Sequence, residues 1–309
     1  MKEKLVIGTR GSKLALWQAH YIADCLRSRY AGLEVSLQRV VTTGDKILDV
    51  PLARIGGKGL FTKELETSML AGEIDLAVHS MKDMPTELPE GLILAAVTER
   101  TDAGDALISP QYKSVEALPP GARVGTSSLR RKAQLLHYRP DLIISDLRGN
   151  LDTRLNKLET EQLDAIVLAV AGLKRLGWQD RITQILPTRL CLPAVGQGAL
   201  AIETRSGDHT VRVMLEFLDD AKTRAAVTAE RAFLREVEGG CQVPVGVYGT
   251  VEQQAVRVEA VILTVDGTTA VRDSICGDER QAAALGQALA KRMLDAGGRE
   301  IMAGLAGVS

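Results

Sequence analysis

Leu5-Val6-Ile7-Gly8-Thr9-Arg10-Gly11-Ser12 sets a short apolar run ahead of a serine able to cap a helix. The run has the length of a buried strand. Beyond Ser12, apolar residues at Leu16, Ala19, Ile22, Ala23 and Leu26 keep helical spacing to about Tyr30. The same reading gives a strand over Val35–Val41, a helix over Phe61–Leu70 and a strand over Ile74–His79. Strand and helix in alternation predict an α/β unit on a largely parallel sheet.

Thr98–Gly104 is polar and turn-rich, and beyond it the pattern restarts. A strand ends near Val124, a helix runs over Ser128–His137, a strand over Leu142–Ser145, a helix over Leu151–Glu159 and a strand over Ala165–Ala169. Pro187–Gly198 reads as a second crossover that returns the chain to the first unit. Two α/β lobes joined by two crossovers form a hinged pair, with ligands expected in the cleft beyond the strands' carboxyl ends. From about Asp220 the pattern changes. A helix over Ala221–Glu238 precedes Gly239-Gly240-Cys241, then come strands over Val245–Thr250, Ala255–Val265 and Ala270–Ile275 and a closing helix over Glu279–Ala296. The expected division is lobe 1 from 1–98 and 199–217, lobe 2 from 104–192, and a small C-terminal α+β domain from 220–309.

With 309 residues, 45% hydrophobic and 25% charged, the chain is long enough for such cores without metal or disulfide staples. Net charge is −1 and aromatic residues are 3%, so a nucleic-acid partner is not expected. Cys25, Cys191, Cys241 and Cys276 form no CxxC pair and no metal set. That usage fits a reducing cytoplasm. No signal-like or membrane-spanning apolar stretch is read.

The charge is local. Gly121–Arg154 holds seven basic residues (Arg123, Arg130, Arg131, Lys132, Arg139, Arg148, Arg154) against three acids (Asp141, Asp146, Asp152). Gly125-Thr126-Ser127-Ser128-Leu129-Arg130-Arg131 leaves a strand and opens a helix, where free N–H groups and paired guanidinium forks suit carboxylate or phosphate. Arg148 and Arg154 repeat the arrangement at the next strand end, and Arg10 with Ser12 does so in the first lobe. The alternative is a solvated basic helix face. His79-Ser80-Met81-Lys82-Asp83 closes a buried strand; Asp83 is either a turn aspartate before Pro85 or an acid that stabilises positive charge or relays protons. Cys241, after two glycines and before Pro244, is either an accessible attachment point or a small buried hydrophobe. Arg54-Ile55-Gly56-Gly57-Lys58-Gly59 lacks the spacing of a phosphate loop and reads better as a lid.

Together and in this order, these motifs resemble the porphobilinogen deaminase family nearly end to end. They include Leu14-Ala15-Leu16-Trp17-Gln18-Ala19, GGKGLF at 56–61, AVHSMKD at 77–83, GTSSLRR at 125–131, LRGN at 147–150, LPAVGQGA at 192–199 and EGGCQVP at 238–244. The resemblance implies two lobes like those of type II periplasmic binding proteins and a third domain whose cysteine, Cys241, carries a dipyrromethane cofactor by a thioether. It implies an enzyme that deaminates porphobilinogen, joins four pyrroles head to tail on that primer and releases hydroxymethylbilane by hydrolysis. Asp83 matches the family's catalytic aspartate. Cofactor contacts fall on Lys82, Thr126, Ser127, Ser128, Arg130, Arg131, Arg148 and Arg154. Substrate contacts fall on Arg10, Ser12, Gln18, Arg148, Arg154, Arg175 and Gln197. No metal is implied, and the family's habit is a cytoplasmic monomer. Arg54 stands where many members have lysine, which leaves its cofactor contact open. The rival reading, two lobes that merely capture a small dicarboxylate, leaves Cys241 and the third domain without a purpose.

Overall fold

The computed structural model describes residues 2–46, 59–237 and 243–306. Among them the strands form two five-stranded sheets and one three-stranded sheet.

The first lobe contains β1 (Lys4–Thr9), α1 (Lys13–Arg29), β2 (Glu34–Arg39), α2 (Thr43–Lys46), α3 (Lys63–Leu70), β3 (Leu76–Ser80) and β4 (Leu92–Val97). The second contains β5 (Asp105–Ile108), β6 (Arg123–Gly125), α4 (Leu129–Tyr138), β7 (Ile143–Ser145), α5 (Leu151–Thr160), β8 (Ala165–Ala169), α6 (Val170–Arg175) and β9 (Gln184–Ile185). β10 (Leu200–Arg205) and α7 (His209–Leu215) return to the first lobe's side of the molecule. Ala19, Ile22, Ala23 and Leu26 bury one face of α1 against Leu5, Ile7 and Leu76 of the sheet, which is why the helical spacing is so regular.

The expectation of largely parallel sheets is corrected at one position in each lobe. The sheet orders are β2-β1-β3-β10-β4 and β7-β6-β8-β5-β9. β1 is parallel to β2 and β3, and β6 is parallel to β7 and β8. The fourth strand of each sheet is antiparallel to both neighbours: β10 between β3 and β4, and β5 between β8 and β9. Both inserted strands directly follow an interlobe crossover. The chain thus enters each sheet from the other lobe, at the end opposite to that used by the local βα units. Hydrophobic periodicity carries no information on strand direction, so it misses this.

The third domain is α8 (Ala221–Glu236), an antiparallel sheet of β11 (Val245–Glu252), β12 (Ala255–Leu263) and β13 (Ala270–Asp278), then α9 (Ala282–Met293) and α10 (Arg299–Ala306). Phe233, Val247, Val258 and Leu289 pack its core. The closing helix, read to Ala296, ends at a kink near Gly297, whose φ of +107° favours glycine, and a further helix not read from the sequence, α10, follows it. Glu230 of α8 anchors this domain to both crossovers. It lies 2.8 Å from Arg100 Nη1, and its two oxygens accept from Gly196 N at 2.6 Å and Gly249 N at 2.8 Å.

Candidate active site

Each lobe's central strand ends in the same construction. β1 runs through Gly8 and buried Thr9 to Ser12, whose Oγ accepts from Ala15 N at 3.2 Å and caps α1. β6 runs through Gly125 and buried Thr126 to Ser128, which caps α4 by accepting from Arg131 N. Both glycines serve close packing: a Cβ would stand 2.3 Å from Ile74 Cδ1 at Gly8 and 2.8 Å from Leu163 Cδ1 at Gly125. The caps use serine hydroxyls on orphan N–H groups.

Two cavities lie beside these strand ends. The first, about 470 Å³, is built from both lobes, with Lys82 from the first, Arg131, Arg154 and Arg175 from the second, and Gln197 from the return crossover. The second, about 430 Å³, is lined by Arg10, Ser12, Gln18, Phe61, His79 and Asp83. Leu14 and Ser80 line both. Lys82 and Asp83 are neighbours in a single 3-10 turn (Met81–Asp83), yet Lys82 lines the first cavity and Asp83 the second.

The first cavity is strongly cationic. Burial, then the nearby Arg131, pushes the Lys82 ammonium down to about 8, although Asp83 and Asp105 pull the other way. Lys82 Nζ donates to Gln197 Oε1 at 3.3 Å. Burial, with Arg131 and Arg148 close by, pushes Arg154 down to about 10, against the pull of Asp83. Burial likewise pushes Arg175 down to about 10, and its Nη2 donates to Gly198 O at 2.7 Å. Arg148 has a buried Nη1 with no hydrogen-bond partner among the described residues. Cations crowded in this way favour a ligand with several negative charges.

Other residues singled out from the sequence are engaged within the protein. Arg130 lines neither cavity; its Nη1 donates to Asp105 Oδ2 and Leu192 O, both at 2.6 Å. Arg131 divides its fork, donating to Asp105 Oδ1 from Nη2 at 2.7 Å and to Val167 O from Nη1 at 3.0 Å. Thr126 Oγ1 accepts from Ser128 N at 3.2 Å, and Ser127 Oγ accepts from Leu147 N at 2.8 Å. Gln18 Nε2 donates to Ser80 Oγ at 2.8 Å, and Gln197 Nε2 donates to Asp105 Oδ1 at 2.9 Å. Arg10 is held by Asp45 and lies over the Phe61 ring at 4.1 Å. Burial alone would raise the Asp45 carboxyl, but its hydrogen bonds from Arg10 and Thr42 hold it below the ordinary range.

Sequence reasoning missed Asp105, a fully buried carboxylate that gathers Arg130, Arg131 and Gln197. It lies in Thr101-Asp102-Ala103-Gly104-Asp105, which reads as a turn. It also missed Asp45 and Glu203. Cys241, Arg54 and the loop from Ile55 to Lys58 lie outside the described residues. Cys25, Cys191 and Cys276 are free thiols. Cys191 is buried and its thiol is pushed up to about 12, chiefly by burial and Asp105; Cys276 sits exposed within β13. Among the described residues there is no group of three or more His, Cys, Asp or Glu placed to hold a metal ion, and no helix is long and apolar enough to cross a membrane.

Comparison with known proteins gives a consistent result. Residues 5–213 match the family profile described as porphobilinogen deaminase, dipyromethane cofactor binding domain. Residues 224–295 match porphobilinogen deaminase, C-terminal domain. The chain is 55% identical over 302 residues to a porphobilinogen deaminase of Pelotomaculum thermopropionicum, covering 98% of this chain and 97% of that one. It is 54% identical over 299 residues to one of Geotalea uraniireducens, covering 97% and 94%. Among solved structures, a methionine-binding protein resembles 69% of this chain and 89% of its own, with 15% identity and a TM-score of 0.45.

Proposed function

The chain belongs to the porphobilinogen deaminase family, and we propose that the cleft between its lobes is where it binds its cofactor and performs the reaction. The activity is the deamination and head-to-tail joining of four porphobilinogen molecules, with release of hydroxymethylbilane for tetrapyrrole synthesis. The observation that carries the site assignment is the convergence of Lys82, Arg131, Arg154 and Arg175 from two lobes on one cavity.

The dipyrromethane cofactor, when bound, supplies the primer on which the pyrroles are joined. The residues present fit such a group. Pyrroles bearing acetate and propionate need several cationic forks, and Arg148 offers a buried Nη1 with no partner beside Arg154. Arg131, Arg148, Arg154 and Lys82 would hold the cofactor's carboxylates, with Ser128, Thr126 and Ser127 shaping the helix start beneath them. Arg130 would act through Asp105, keeping that carboxylate and its partner Arg131 in register. Cys241 would be the anchor; of the residues that flank its segment in sequence, Val237 belongs to the third domain's core and Val243 packs against it.

Arg10, Ser12 and Gln18 would take the incoming porphobilinogen in the second cavity, with Arg175 and Gln197 near the growing chain. Asp83 is an exposed carboxylate on that cavity's wall. Its negative charge would stabilise the positive charge that develops as ammonia leaves. Domain limits at 1–98 with 199–217, 104–192 and 220–309 follow the three sheets. A monomer in the cytoplasm completes the reading, supported by free thiols at all three described cysteines.

The test is the intact mass of the denatured protein beside a Cys241→Ser variant. A surplus of two linked pyrroles in the parent and none in the variant is expected. No adduct and no ammonia after incubation with porphobilinogen would leave only a dicarboxylate-binding module.

A further inference from the structure

His79 lies near the end of β3 and is one of the residues that line the second cavity, with Asp83 and Arg10. Its Nε2 is 3.0 Å from Glu203 Oε2 on the adjacent strand β10, where Ala201 is the residue directly opposite His79. Glu203 is fully buried, and its second oxygen has no hydrogen-bond partner among the described residues. Glu66 of α3 faces the same patch, also buried, with its Oε1 unpartnered. Two carboxyls in a dry patch, each with a bare oxygen, are costly as a pair of anions. Burial first, then the charge of Glu203, raises the Glu66 carboxyl above its ordinary range, against the opposing effects of Thr62 and His79. Of these three residues, His79 is the one that also lines the cavity.

We propose that His79, held by Glu203 and backed by Glu66, is the proton relay of the second cavity. This rests on the reading of that cavity as the place where porphobilinogen reacts. In each coupling the C–N bond of the aminomethyl group breaks and its electron pair leaves with nitrogen. A C–C bond forms to the α-carbon of the preceding ring, which then sheds its proton; ammonia leaves with a proton as ammonium. One proton must therefore be taken from carbon in every cycle. An aspartate that accepted it would lose the negative charge that stabilises the cation. A separate acceptor lets Asp83 stay charged. Imidazole suits this task, since one ring nitrogen can accept a proton while the other donates to a fixed carboxylate. The charged groups around His79 are Glu203 from β10, Glu66 from α3 with Glu64 beyond it, Arg10 past β1 and Asp83 past β3. α1 contributes Gln18, which is neutral.

The experiment compares the full cofactor-bearing protein with His79→Gln and Glu203→Gln. It reads kcat and KM for porphobilinogen across pH, together with intact masses of protein quenched during turnover. The relay requires kcat to fall on the order of 100-fold with KM little changed. It also requires one ionisation to vanish from the kcat profile of His79→Gln, and a normal cofactor mass with early chain intermediates accumulating. A folded, loaded His79→Gln that keeps kcat within about twofold and the parental pH profile overturns the proposal. So does reduced activity with an unchanged profile, which would mark the pair as structural. Should His79→Gln arrive without cofactor, Glu203→Gln decides by the same criteria, and loss of fold in both overturns the relay. A parent protein that leaves porphobilinogen untouched would instead overturn the functional reading itself.

Discussion

Arg130 and Arg131, consecutive in α4, clasp opposite oxygens of one carboxylate: Arg130 Nη1 lies 2.6 Å from Asp105 Oδ2, and Arg131 Nη2 lies 2.7 Å from Oδ1. Burial alone would raise the Asp105 carboxyl, but the two guanidinium groups hold it far below the carboxylate range. Asp105→Asn leaves two buried cations without their counter-charge, at a cost of about 3–5 kcal/mol. Because the folded state keeps Asp105 ionised, its stabilisation is complete above the unfolded value of about 3.9 and is lost as pH falls below it. Urea midpoints measured from neutral to acid pH should therefore show Asp105→Asn weaker at neutrality and with a shallower acid decline. A variant whose midpoint declines in parallel with the parent would contradict this.

Asp83 is exposed and its removal should not disturb packing. Asp83→Ala is expected to change stability by no more than about 0.5 kcal/mol while lowering turnover on the order of 10²–10⁴-fold. Steady-state assays beside thermal melts check both. Near-parental turnover would take Asp83 out of the chemistry.

Arg148 is expected to matter for loading more than for folding, since its buried Nη1 has no partner among the described residues. Arg148→Leu should fold with parental stability and assemble its cofactor at least about tenfold more slowly, the loss expected for one charged hydrogen bond. The mass of freshly purified variant incubated with porphobilinogen is the readout. Full loading at the parental rate would remove Arg148 from the carboxylate site.

Lys82 carries a penalty in the empty cleft. Its folded value near 8 lies below the unfolded value of about 10.4, so the unfolded chain binds more protons between them. Stability of cofactor-free protein therefore rises with pH across that window and lacks the contribution below it. Lys82→Met should abolish that rise, stabilise the empty protein near neutral pH and impair cofactor loading. Melts across the window should show the rise in Cys241→Ser and its absence in Cys241→Ser/Lys82→Met. A rise of the same size in both would assign it to other groups.

The sequence made much of this legible because local signals are strong where a strand turns into a helix. Ser12 is the cap expected of it, the helix read from Ser128 begins there with Ser128 as its cap, and β8 spans Ala165–Ala169 as read. What escaped reading depends on partners far away along the chain. Asp105 is indistinguishable from a turn aspartate until Arg130, Arg131 and Gln197 arrive. Arg130 and Arg131 look alike in sequence, but one full helical step of about 100° separates their directions, so one lines the cavity and the other does not. His79 and Glu203 are joined only through the β3–β10 register, and alternation fixes which face a residue takes but not its neighbour across the ladder.

The insertion of β10 between β3 and β4 has a consequence for synthesis of the chain. Lobe 2 is drawn from one continuous stretch, β5 to β9, and can close as soon as that stretch has left the ribosome. Lobe 1 starts earlier but finishes later, because β4 joins its sheet only through β10. A nascent chain halted before Leu200 thus carries a completed second lobe behind an open sheet edge on the first. Protease treatment of such stalled chains should spare the middle of the sequence and cut within the N-terminal portion, and equal protection of both would place lobe 1 closure before β10. In the cell, that open edge is the interval in which a chaperone has most to offer.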